Sequence, residues 1–99
     1  MFVIVWHELL DPPTAFARGE RLKRGEGAPE GTQVLQFLPG ADGRSVTCLW
    51  ESRSVEDVQS YVDETLGDAS RNRCYAVEAA AAFAMQPAGF ARPPAAVAA

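Results

Sequence analysis

The chain has 99 residues, 47% of them hydrophobic, and a formal net charge of −4 from 13 acidic and 9 basic side chains. That length makes one small domain with a single core, and the acidic balance leaves no electrostatic footprint for nucleic acid or an anionic membrane. No apolar run reaches the roughly eighteen residues of a membrane span, and the amino terminus lacks the basic and apolar regions of a secretory signal, so a cytoplasmic protein is expected.

Phe2 to Glu8 reads as a strand, with Val3, Val5 and His7 on one face and Phe2, Ile4, Trp6 and Glu8 on the other. Both faces are apolar, so both need cover. Asp11 before Pro12 and Pro13 marks a helix start, because Asp is a good N-cap and proline in the first turn loses no hydrogen bond. Ala15, Phe16 and Leu22 give this helix a thin apolar stripe. Gly19 weakens it by up to about 1 kcal/mol relative to Ala. Arg18, Arg21, Lys23 and Arg24, interleaved with Gly19 and Glu20, read as a solvated face.

Gly25 to Thr32 is a glycine-rich loop, and Gln33 to Leu38 the second strand. Pro39 to Gly43 makes a hairpin turn in which Asp42-Gly43 tolerates positive φ, and Ser45 to Glu51 is the third strand. Ser54 caps a second helix, Glu56 and Asp57 suit its dipole, and Val55, Val58, Val62, Thr65 and Leu66 make its apolar face. Gly67 ends that helix by taking the left-handed conformation. Asp68 to Asn72 is then expected to be a connection, and Arg73 to Glu78 the fourth strand. Ala79 to Met85 is either a short packed helix or more strand. Residues 1–85 thus form the domain, and residues 86–99 a flexible Ala/Pro-rich tail with Phe90 as its anchor.

The order β-α-β-β-α-β predicts a ferredoxin-like α+β fold, with an antiparallel sheet in the order 4-1-3-2 and both helices on one face. The other face would remain an apolar patch of a kind that monomers rarely expose. A second copy packed face to face, closing a dimeric α/β barrel, is the expected cover.

At CLWES and the following SVEDV helix, and again at SRNRCYAVE, the chain resembles small bacterial ferredoxin-like proteins of the dimeric α/β-barrel superfamily. It is more distantly similar to the nickel-binding ferredoxin-like proteins of actinomycetes. Cys48 and Trp50 match the cysteine and aromatic positions of their third strand, and His7 matches a histidine of the first; Cys74 and Ala76 depart from the pattern. The resemblance implies a homodimer whose ligand is a transition metal such as nickel, or a cofactor-free enzyme of the monooxygenase, isomerase or cyclase type.

His7, Cys48 and Cys74 are the only concentration of reactive side chains, and a thiolate-imidazole set would suit nickel, zinc or copper. The two cysteines fall two strand spacings apart, about 9.6 Å, which is too far for a disulfide. Their apolar settings favour buried, reduced thiols, and no metal-binding spacing such as CxxC or HExxH is present. For an enzyme, His7 is the natural proton-transfer group. A pocket on the sheet face would then be walled by Trp50, Trp6, Tyr75 and Phe37, with Gln36 and Asn72 orienting an aromatic or polyketide-like molecule. Period-2 core packing explains the same aromatics. Arg71 and Arg73 are expected to cap the second helix or to decorate a turn. Three functions remain open: binding of a small molecule or metal ion, cofactor-independent catalysis, and an interaction module whose sheet face serves only to dimerise.

Overall fold

The structure is a computed structural model and describes residues 1–93. The strands are β1 (Phe2–Leu9), β2 (Gln33–Pro39), β3 (Ser45–Glu51) and β4 (Ser70–Ala76); the helices are α1 (Pro12–Arg24) and α2 (Val55–Leu66). The sheet is antiparallel in the order β2-β3-β1-β4, which is the predicted order read from the other edge. Among the described residues, no helix is long and apolar enough to cross a membrane.

Local chemistry sets the helix ends. Asp11 accepts from the Thr14 backbone N–H and from its hydroxyl, and Gly25, at φ 72°, closes α1. Ser54 Oγ accepts from the Asp57 N–H at 3.0 Å to open α2. Gly67 has the expected positive φ, 55°, but its ψ of −134° lies outside the left-handed helical basin. The reason is tertiary. The Arg18 guanidinium donates to Leu66 O at 2.8 Å and to Asp68 Oδ1 at 3.0 Å, and a Cβ on Gly67 would stand 3.1 Å from Arg18 Nη1. Arg18, rather than Arg71 or Arg73, thus satisfies the end of α2; Arg71 instead approaches Glu8 at 3.9 Å.

Val3, Val5, Val46, Cys48 and Trp50 meet Leu22 of α1 and Val58, Tyr61, Val62 and Leu66 of α2 in one core. Both helices therefore cover the same sheet face. Tyr61, which the apolar spacing of α2 did not single out, packs edge-on against Trp50 with ring centroids 5.9 Å apart, and its hydroxyl donates to Glu26 O at 2.6 Å. The opposite face carries Ile4, Leu49, Trp6 and Tyr75, of which Trp6 is 43% and Tyr75 50% exposed.

Two expectations at the carboxyl end need correction. β4 begins at Ser70 and ends at Ala76 instead of running from Arg73 to Glu78. Ser70 pairs with Leu9 and Ala76 with Val3, so β4 lasts while β1 lies beside it, and a final bond joins Val77 N–H to Phe2 O. Ala79–Ala81 makes one exposed 3-10 turn, neither a packed helix nor more strand, and Phe83 stands in solvent. Gln86 to Pro93 has no regular structure; the remainder of the expected tail, 94–99, lies outside the described residues.

Candidate functional site

The covered face of the sheet holds the chemistry. His7 is inward by strand parity and only 3% exposed; it lies opposite Val46 of β3 and Asn72 of β4. Its Nδ1 lies 2.6 Å from Asn72 Oδ1, which also accepts from Ser70 Oγ at 2.7 Å. Asn72 Nδ2 donates to Asp63 Oδ1 at 2.9 Å. Gln59 Nε2 reaches both Asp63 oxygens, at 3.1 and 3.0 Å, and Asn72 O at 2.9 Å. Gln59 and Asp63 are four residues apart on α2, so they share the helix side that meets β4.

Burial pushes the His7 imidazole below its usual 6.5, against the opposing pull of its Asn72 hydrogen bond and the Asp63 charge. At neutral pH it is therefore uncharged. Its Nε2 has no hydrogen-bond partner among the described residues.

His7 lines a half-open cavity of about 40 Å³ beneath α1, together with Phe16, Gly19, Leu22, Phe37, Val46, Cys48 and Trp50. Trp50 is 1% exposed, and its indole Nε1 is a buried donor without a partner. Leaving such a group unpaired costs roughly 1–3 kcal/mol. Lys23 lies on the same wall with its ammonium 4.2 Å from the Phe37 ring centroid, and it also pairs with Glu20 at 3.1 Å. A second cleft, about 520 Å³, lies between β2 and Gln86–Pro93. It is the larger of the two, but neither the histidine nor a cysteine lines it.

The residues expected to share one pocket on the bare sheet face divide between the two faces. His7, Cys48, Trp50, Phe37 and Asn72 lie on the helix side, while Gln36, opposite Leu49, and Tyr75, opposite Ile4, lie on the bare side with Trp6. The pocket holding His7, Cys48 and Trp50 therefore lies under α1 and not on the face left for a second copy. The His7, Cys48 and Cys74 set does not assemble either. Val5 pairs with both Cys48 and Cys74 and so stands between them, while His7 is two residues further along β1. Burial raises both thiols to about 12, with the Asp63 charge adding to the effect at Cys74 and Lys23 opposing it at Cys48. Among the described residues, no group of three or more His, Cys, Asp or Glu side chains is placed to hold a metal ion.

Asp63, Gln59 and Ser70 escaped the sequence reading. The available signal was Asn72 itself: Asn is disfavoured inside strands, and one at an inward position beside a central histidine calls for partners.

Comparison with curated proteins and with solved structures gives no match. The family described as domain of unknown function (DUF8652) matches residues 3–85, most of the chain, and the protein belongs to that family.

Proposed function

We propose that this protein binds a small, largely apolar molecule through a polar end placed in the cavity beneath α1. The observation that carries this reading is the Nε2 of His7, unpartnered among the described residues, in a residue lining an apolar cavity to which Trp50, whose buried indole N–H also lacks a partner, contributes its side chain. A water-sized group needs about 10–15 Å³ of such space, so 40 Å³ admits the polar end of a ligand. The body of the ligand would extend past Phe16 and Phe37 at the open side. A transition metal held by His7, Cys48 and Cys74 is a weaker reading, because Val5 separates the thiols and both are protonated at neutral pH.

The test is a titration of ¹⁵N-labelled protein with 1-naphthol, following the two indole N–H signals. Trp50 should shift while Trp6, on the opposite face, serves as the control. A shift of Trp6 alone, or of neither, rejects the site.

A second reading, cofactor-independent catalysis, is favoured by the hydrogen-bonded orientation of His7. In that reading Nε2 takes a proton from an acidic C–H, the electron pair stays on the substrate as an enolate, and the proton is then returned. Incubation with 2-tetralone in D₂O, read by NMR, should show exchange faster with the wild type than with His7→Gln. Equal rates reject catalysis and leave binding standing.

A second copy is proposed on the bare sheet face. Four strands at about 4.8 Å spacing and seven residues at about 3.3 Å rise give a face of roughly 19 by 23 Å. That flat area of about 440 Å² is a little over half of the roughly 800 Å² per partner of a standard interface, so a second copy would need contacts beyond the strands themselves. The two free cysteines suit the reducing cytoplasm.

A further inference from the structure

We infer that Asp63 is a positioning residue that fixes, through Asn72, which nitrogen of His7 carries the proton, and so decides what kind of group the cavity can take. Ionised Asp63 only accepts, so the Asn72 atom 2.9 Å from it must be the amide NH₂. Gln59 holds the carboxylate in place from the same helix. The other end of the Asn72 amide, facing His7 at 2.6 Å, is therefore the carbonyl oxygen. The Ser70 hydroxyl, donating to the same oxygen at 2.7 Å, is consistent with this orientation. A carbonyl oxygen cannot donate, so Nδ1 carries the proton and the neutral ring presents a lone pair at Nε2.

The ligand class follows, and this step rests on the reading that ligands meet His7 in the cavity. An acceptor on an apolar wall selects a neutral proton donor such as a phenol or other hydroxyl. The unpaired Trp50 indole N–H of the same lining is a donor, so a hydroxyl that donates to Nε2 can also accept from the indole, whereas a carboxylate could accept from the indole but would face the Nε2 lone pair and lose its hydration.

His7 is the only histidine in the chain, so its ring nitrogens give unambiguous long-range ¹H–¹⁵N signals. The experiment reads them in ligand-free protein, which separates this inference from the binding reading. Wild type should show Nδ1–H with an unprotonated Nε2. In Asp63→Asn, whose side chain can offer either end to Asn72, the ring should move toward the Nε2–H form. Asp63 is exposed on α2, so the fold should persist. Should that variant unfold, Asn72→Ala poses the same question by removing the acceptor, and it should also yield Nε2–H. A wild-type ring already protonated at Nε2 overturns the inference, and an unchanged Nδ1–H ring in folded Asp63→Asn removes Asp63 from it. Phenol and benzoate then test the ligand class: phenol should perturb the His7 signals and benzoate should not. Tighter benzoate binding would overturn the specificity while leaving the tautomer result intact.

Discussion

Gly19 is the position where stability and binding should part. It lies inside α1 with helical backbone, where Gly is about 0.8–1.0 kcal/mol less favourable than Ala. A Cβ there would meet only Leu66 Cδ2, at 4.0 Å, which is ordinary van der Waals contact. Neither backbone strain nor a clash opposes the change, and Gly19 also lines the 40 Å³ cavity. Gly19→Ala should therefore stabilise the protein by about 1 kcal/mol, which for a domain of this size raises Tm by roughly 4–8 °C. The same methyl group narrows the space beside His7 and should weaken 1-naphthol binding. Thermal unfolding followed by circular dichroism reads the first effect, and the Trp50 indole titration reads the second. A lower Tm would refute the packing argument. A higher Tm with unchanged binding would show that the cavity is not where the ligand sits.

The remaining predictions concern protons, thiols and the bare face. Because the folded pKa of His7 lies below 6.5, the unfolded chain holds the extra proton between those values; stability should fall as pH drops through about 6.5 and level off below the folded pKa. Urea unfolding from about pH 7.5 to about pH 5 should show this slope, and His7→Gln should reduce it; an undiminished slope would assign it to other groups. Cys48 and Cys74 should resist iodoacetamide at neutral pH in the native state and react on unfolding, since each thiol is pushed up to about 12. Rapid native labelling of Cys48 would mean that its seat in the core is wrong. Trp6→Arg and Tyr75→Lys should convert a dimer to a monomer in sedimentation velocity without unfolding it, because both side chains are half exposed in the single chain. A wild-type protein that stays monomeric at high concentration would reject the second copy.

Short-range signals were sufficient to identify the elements. Asp11 with Pro12, and Ser54 with Glu56 and Asp57, start helices by satisfying backbone groups within a few residues. Alternation along β1 and β3 places Val3, Val5 and His7 together, and Val46, Cys48 and Trp50 together. Element order then gave the sheet order. Which face the helices cover was not legible, because β1 is apolar on both, and the sequence reading placed His7, Cys48 and Trp50 on a pocket of the bare face. The metal set failed for a related reason: strand spacing can be estimated, but the register that puts Val5 between the two cysteines is a tertiary fact.

What the sequence determined by itself, then, was the number and order of the four strands and two α-helices and which side chains share a strand face, because caps, turns and period-2 patterns act over a few residues. Only the tertiary structure decided that His7 is buried under α1, and that residues 59, 63, 70 and 72 converge to orient its ring. Those contacts join β1 to β4 and α2 across as many as 65 positions of chain. No local pattern encodes such a separation; it is set when the helices close over one face of the sheet and bury the polar groups that must then find each other.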